Sequence, residues 1–243
     1  MASGQQIDLR IVTYNIHRCR GLDRRVIPSR TAAVLADIKA DVIALQEVVG
    51  SSATNSGHAE ELGAALGMGW IMAPTRRLRG HLFGNVVLSR LRIREHSQYD
   101  LSWRNREQRC CQRVDLEVGE DTIHFYNVHL GTSLRERRHQ AVRLAAVVHD
   151  RRVDGPKLVV GDFNEWTRGL ATTMLTERLH SVNLFAHLKK RRTYPGFFPF
   201  LHLDHIYYDG AKVEVKRVEL PRTRRTMITS DHLPLVADLR IRF

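Results

Sequence analysis

Lys157-Leu158-Val159-Val160-Gly161-Asp162-Phe163-Asn164 is an apolar strand whose tip carries a carboxylate and a carboxamide. Such a run bounded by polar residues suits a strand buried in a sheet, with its chemistry exposed at one end. The same design recurs along the chain. Ile7 to Asn15 alternates apolar and polar residues and closes on Thr13-Tyr14-Asn15-Ile16-His17. Asp41 to Val48 is apolar and closes on Gln46-Glu47. Thr122 to Leu130 contains Asn127-Val128-His129-Leu130-Gly131, Leu203 to Tyr208 contains Asp204-His205, and Ser230-Asp231-His232-Leu233-Pro234 leads into Leu233 to Arg242. Acids, asparagines and histidines thus collect where strands meet loops, the position at which a rigid scaffold presents reactive groups.

Between these strands the periodicity predicts helices at Pro28 to Ala40, Glu60 to Leu66, Leu134 to Arg151 and Gly169 to Leu179, and further strands at Gly84 to Ser89, Cys110 to Val118 and Lys212 to Leu220. Pro28 suits a first helical turn, and Val34, Leu35 and Ile38 share one face. Many strands and few helices imply two sheets packed together with helices outside. No repeat, linker or low-complexity tract divides the 243 residues, so one domain over 1–243 is expected. Gly50 to Gly57 is the loosest segment and is expected to be a loop.

The chain is 43% hydrophobic with a net charge of +12, enough apolar content for a large core and a surplus that attracts polyanions. Arginine supplies most of it in short clusters: Arg18, Arg20, Arg24 and Arg25; Arg76, Arg77 and Arg79; Arg222, Arg224 and Arg225; with Lys189 to Arg192 as a mixed run. Guanidinium forks suit phosphate. A solvated basic surface without a ligand is the plain alternative. Cys19, Cys110 and Cys111 have no zinc spacing and are expected to be reduced thiols in a reducing compartment, the cytoplasm. No stretch is long and apolar enough to span a membrane, and Met1 to Gln6 lacks the pattern of a signal peptide. A monomer is expected.

Glu47, Asp162, Asp204 and Asp231 would repel one another if gathered without a cation. Magnesium, or manganese in its place, takes oxygen ligands and needs only one or two carboxylates. His129 and His232 can move protons near neutral pH, and Asn15 and Asn164 carry neutral donors and acceptors. No single string is specific. Their joint occurrence in this order is.

In that order and spacing the strings resemble the endonuclease/exonuclease/phosphatase superfamily, the group of DNase I, exonuclease III-type AP endonucleases, inositol polyphosphate 5-phosphatases and neutral sphingomyelinases. The resemblance runs from about Leu9 to the last strand. Tyr14 to His17, Gly84 to Arg90, Gly161 to Trp166 and Arg192 to Pro195 look closest to small bacterial members related to GPI-anchor lipid remodelers. The resemblance implies a four-layer α/β sandwich, with two face-to-face β-sheets flanked by helices. It implies Glu47 as principal magnesium ligand, with Asn15 and Asp231 on the metal side. Asp162 would orient or deprotonate the attacking water, and Asn164 would hold a phosphate oxygen. His129 would donate to the phosphate, and His232, held by Asp204, would act as base or stabilise charge. Arg109, in Glu107-Gln108-Arg109, and Asn85 would contact substrate. His17 stands where some relatives carry an acid, which leaves a second metal position open.

The remaining histidines His58, His81, His139, His149 and His180 fit no motif and are expected on the surface or in packing, and His205 should point away from Asp204 along its strand. Trp166 borders the cleft or packs in the core. Gly196 to Leu201, with three phenylalanines after a basic run, suits base stacking, a lipid interface or cover for the sheet. Three functions remain: a nuclease on DNA or RNA, placed first because of the basic surface; a phosphodiesterase or phosphatase on lipid or phosphorylated headgroups; and a non-catalytic binding module, disfavoured by the complete set of site residues.

Overall fold

Strands β1 (Gln6–Asn15) and β2 (Val42–Val49) run parallel, with Ile11 opposite Val42 and Asn15 opposite Gln46. Helix α1 (Pro28–Ile38) joins them, burying Val34, Leu35 and Ile38 on the sheet. The helix stops short of the expected Ala40 because Lys39 turns left-handed, with φ 56°, and returns its N–H to the Leu35 carbonyl. A second crossover repeats this design. Strand β7 (Asp121–His129), helix α3 (Leu134–Val148) and strand β8 (Lys157–Asp162) form another parallel pair, with His129 opposite Asp162. Helix α3 ends before the expected Arg151 because its terminal carbonyls are taken up. Lys157 Nζ donates to the Val148 and Asp150 carbonyls at 2.9 and 3.0 Å, and Arg178 donates to His149.

The structure, a computed structural model, describes residues 5–166 and 169–243; most of Met1 to Gln6 lies outside them. The other strands are β3 (Gly69–Leu78), β4 (His81–Ser89), β5 (Ile93–Asp100), β6 (Cys110–Val118), β9 (His180–Ser181), β10 (Asp204–Tyr208), β11 (Val213–Glu219) and β12 (Leu235–Arg242). The remaining helices are α2 (His58–Leu66), α4 (Leu170–Leu175), α5 (Leu184–His187) and α6 (Arg224–Thr229). Two six-stranded sheets result, ordered β11-β12-β1-β2-β4-β3 and β5-β6-β7-β8-β10-β9. Each has its parallel pair at the centre and antiparallel neighbours outside.

Between the sheets lies a core that draws Ile11, Val42 and Val87 from one and Val114, Phe125 and Val160 from the other. Helices α1 and α2 pack on the outer face of the first sheet with Val12, Ile43 and Leu45, and α3 and α4 on the outer face of the second with Tyr126, Val159 and Tyr207. The arrangement is the DNase I-like α/β sandwich. Polar residues also cross the inter-sheet space. Gln46 Nε2 donates to Asn127 Oδ1 at 2.8 Å and to Thr13 Oγ1 at 3.1 Å, and Asn127 Nδ2 donates to the Leu45 and Val86 carbonyls at 3.1 and 3.0 Å. All three side chains are fully buried, so each bond offsets a desolvation cost that an unpaired amide would leave exposed as a penalty.

The edge strands β3 and β5 escaped the periodicity because they lack it. Ile93–Asp100 is mostly polar, and Pro74 interrupts β3 where its register shifts, as suits an edge. The stretch expected to be helical from Gly169 to Leu179 shortens to α4. Glu165 takes its first N–H groups, from Ala171 at 3.0 Å and Thr172 at 3.1 Å, and Thr176 Oγ1 bonds back to the Thr172 carbonyl at its end. Cys19, Cys110 and Cys111 are free and buried, and burial pushes the Cys19 and Cys110 thiols up to about 12, which makes them poor nucleophiles.

Strand β8 approaches β7 so closely at Gly161 that a Cβ there would sit 1.9 Å from the Val128 carbonyl oxygen, at a φ of 146° that other residues rarely adopt. Gly161→Ala is therefore expected to lower the unfolding free energy by roughly 2–5 kcal/mol, read from urea denaturation midpoints at constant slope.

Candidate active site

The C-terminal ends of the two parallel pairs converge on one spot, where an open α/β sheet presents its ligand site. Asn15 closes β1, His129 closes β7, Asp162 closes β8, and Asp204 opens β10 opposite Asp162. Glu47 reaches the spot by a different device. The pairing of β2 with β4 shifts register between Leu45 and Val48, and Glu47 within that bulge has a φ of 57°. A bulge re-aims a side chain at a strand end, and a left-handed non-glycine residue stores about 1–3 kcal/mol of strain. Asn164, with φ 51°, is held likewise just past β8.

At the centre, Asn15 Nδ2 donates to Glu47 Oε1 at 3.2 Å and to Asp162 Oδ2 at 3.1 Å, joining carboxylates from the two sheets. Asp162 Oδ1 accepts the Asn164 backbone N–H at 2.9 Å. His129 Nε2 lies 3.5 Å from Asp162 Oδ2, and His232 Nε2 lies 3.6 Å from the same oxygen. His232 Nδ1 donates to Asp204 Oδ2 at 3.0 Å. The loop carrying His232 is tied down because Ser230 Oγ donates to the Asn15 carbonyl at 2.7 Å and accepts the His232 N–H at 3.2 Å.

The two imidazoles carry opposite protonation. Burial, helped by the charges of Arg109 and His232, holds His129 well below the ordinary imidazole value, so it is neutral. Arg109 Nη1 lies 2.8 Å from its Nδ1 and 3.2 Å from its Nε2, and the Nε2 edge faces Asp162. Burial alone would also strip His232, but Asp204, Asp162 and Asp231 outweigh it and push the group up to about 10, so it is an imidazolium. Asp162 is driven up by burial and by Asp204, against His232 and the Asn15 bond, and rises to about 6. A carboxylate poised near neutrality beside one charged and one neutral imidazole can accept a proton and supply two N–H donors to an anion.

The other expected residues take these places. Asn164 Nδ2 donates to the Leu130 carbonyl at 2.9 Å, so its amide is partly occupied. Arg109 is anchored by Glu107 at 2.9 Å and, with Asn85, Glu47 and His129, lines a narrow recess. Asn85 is buried and donates to the Asn127 carbonyl at 3.4 Å. Asp231 lies at the rim, 3.5 Å from Nδ1 of His17, the residue that left a second metal position open. His205 faces the opposite side of β10, against Phe163 and His202 at ring separations of 5.5 and 4.2 Å. Trp166 is 61% exposed and is not a core residue.

Two residues given no role by sequence reasoning join the site. The Tyr194 ring packs on His232 at 4.9 Å, and its hydroxyl is raised by burial and by Asp231, Asp162 and Glu47, so it overlooks all three acids. Its place in Arg192 to Pro195 was the available signal. Arg18 Nε stands 3.9 Å from Glu47 Oε2; nothing distinguished it from the other arginines.

Among the described residues no three His, Cys, Asp or Glu side chains form an ion cage. Magnesium does not need one: Glu47, aimed by its bulge, with Asn15 and the nearby Asp231, is an oxygen donor set that fits a hard cation completed by water and phosphate.

Residues 12–232 match the model of the Endonuclease/Exonuclease/phosphatase family. The chain is 30% identical over 251 residues to the Escherichia coli (strain K12) protein YbhP, itself uncharacterized, covering 98% of each. Among solved structures it is similar to an endonuclease/exonuclease/phosphatase from Beutenbergia cavernae, at 23% identity and a TM-score of 0.75 over 96% of this chain and 72% of that one. It is also similar to a conserved protein of unknown function from Enterococcus faecalis, at 20% identity and a TM-score of 0.79 over 95% and 99%.

Removing the Asp204 charge leaves burial to dominate at His232. In metal-free Asp204→Asn protein the His232 ring is expected to lose its proton far below the wild-type value near 10, toward or below the ordinary ~6.5. An NMR titration of the ring protons checks this, and an unmoved titration would refute the pairing.

Proposed function

Because this chain belongs to the endonuclease/exonuclease/phosphatase family, whose chemistry is phosphodiester or phosphomonoester hydrolysis, we propose that it is a magnesium-dependent phosphodiester hydrolase that cleaves DNA or RNA by direct attack of water. The observation that carries the reading is the convergence of Asn15, His129 and His232 on a single oxygen of Asp162, at 3.1, 3.5 and 3.6 Å.

Asp162, with a pKa of about 6, accepts the proton of a water aimed at phosphorus, and Asn15 fixes the carboxylate while it does so. The His232 imidazolium donates to a phosphoryl oxygen on which charge grows, and Asp204 keeps it protonated. Neutral His129 donates through Nε2 to the same group, with Arg109 behind it. Asn164 orients Asp162 through its backbone N–H and reaches a non-bridging oxygen. Glu47, Asn15 and Asp231 would hold magnesium or manganese. When bound, that ion supplies neutralisation of phosphoryl charge and stabilisation of the leaving oxygen. Tyr194 shields the His232 ring from solvent.

The net charge of +12 supports a nucleic acid over an uncharged or small substrate. A second reading, hydrolysis at a lipid headgroup, draws support from Phe197, Phe198 and Phe200, which are 62%, 71% and 50% exposed on the loop that follows Tyr194.

Assays with magnesium on plasmid DNA, single-stranded RNA, phospholipid vesicles and inositol phosphates separate these readings. Cleavage of nucleic acid that falls steeply with salt is expected; cleavage of vesicles alone would install the lipid reading, and binding without turnover on every substrate would leave a binding module. Asp162→Ala and His232→Ala are each expected to lose on the order of 100-fold to 1000-fold in kcat with unchanged circular dichroism, and chelation should abolish turnover.

A further inference from the structure

Beside Glu47, which Arg18 approaches to 3.9 Å, a cavity of about 490 Å³ is walled by Arg18, Arg20, Arg24 and Arg79, with His58 and His81. None of its lining side chains is acidic. Glu47 lies 3.9 Å from Arg18 at its inner edge, Asp23 is occupied by both guanidinium nitrogens of Arg30 at 2.8 and 3.1 Å, and Glu60 caps the N-terminus of α2 through the Gly57 N–H. Arg18 Nε and His58 Nδ1 are buried without hydrogen-bond partners. Four guanidinium groups therefore face one space beside Glu47, and among the described residues the acid that meets them is Glu47, at Arg18.

The backbone supplies a second, independent observation. Nine non-glycine residues among those described have positive φ, and three of them are arginines of this cavity: Arg18 at 62°, Arg24 at 63° and Arg79 at 51°. Glycine is the residue that takes this conformation without steric cost. Two more of the nine, Glu47 and Asn164, belong to the active site. Arg79 stands with Gly80 in the tight turn between β3 and β4, and the exposed side chains of Arg24 and Arg79 are free to reach into the cavity.

We propose that this arginine cavity binds a second phosphate of the substrate, adjacent to the phosphate being cleaved. The inference rests on the phosphodiesterase reading and narrows it: the favoured substrate is a strand with consecutive phosphates, and the cavity fixes which linkage enters the site. Arginine forks hold the neighbouring phosphate bidentately, and the open, partly apolar wall formed by Val26 and Leu78 leaves room for the attached sugar or base.

The test uses the full chain and the variant Arg24→Gly/Arg79→Gly, whose glycines relieve the left-handed turns. Metal-free calorimetric titration with inorganic pyrophosphate is expected to show binding by wild type and a Kd raised about 10-fold to 100-fold in the variant, with a Tm no lower than that of wild type. Absent wild-type binding, or an equal Kd in both, overturns the subsite. In parallel, kcat/KM is compared between a 5′-phosphorylated dinucleotide and bis(p-nitrophenyl) phosphate, which has one phosphorus. A loss about tenfold larger on the dinucleotide supports the subsite, and equal losses reject it. If wild type hydrolyses no phosphoester, the functional reading fails while the pyrophosphate titration still decides whether the cavity binds phosphate.

Discussion

The Asn15 carboxamide is the joint on which the rest of the site turns. It spans the tips of two sheets, with one amide hydrogen on Glu47 and the other on Asp162. Its own oxygen accepts the His17 N–H at 3.0 Å and its backbone carbonyl accepts Ser230, so the loops bearing His17 and His232 are both referred to the same residue. Two carboxylates approaching this closely would otherwise repel, and a neutral double donor is the smallest group that reconciles them without adding charge.

Beneath that joint the sheets are held by two unlike means. The apolar core supplies non-directional attraction, which would tolerate a slip of one sheet over the other. The buried amides Gln46 and Asn127 do not, because a slip would strand them without partners in a low-dielectric interior. Register between the sheets, and hence the distance from Glu47 to Asp162, is defined by this polar seam. Local strain at Glu47 and Asn164 is tolerable only because the surrounding strands are so well determined.

The fold class and most of the site were legible because the strands with reactive tips are buried on both faces. Continuous apolar runs such as Lys157–Asp162 announce themselves, and polar residues at their ends stand out against them. The edge strands β3 and β5 were illegible for the opposite reason: β5 is mostly polar and has no pattern to show. Sequence could name His129 and His232 but not their protonation, since that follows from burial and from which charges lie on either side. Tyr194 and Arg18 were missed because their roles depend on loops whose course no local rule dictates. Glu47 is an intermediate case. Its type and position at a strand end were readable, whereas the bulge that aims it was not.

The order of strands in the two sheets becomes the same when the chain is read from β11 through β12 and on into β1: two antiparallel strands, a parallel crossover through a helix, then two more strands. The two sheets are therefore built to one plan, offset along the chain. Under that correspondence Asn15 is the counterpart of His129, and Gln46, opposite Asn15, is the counterpart of Asp162, opposite His129. One sheet thus carries an acid where the other carries a buried amide, and Glu47 brings the second acid in from one residue further along, through a bulge that the other sheet does not need.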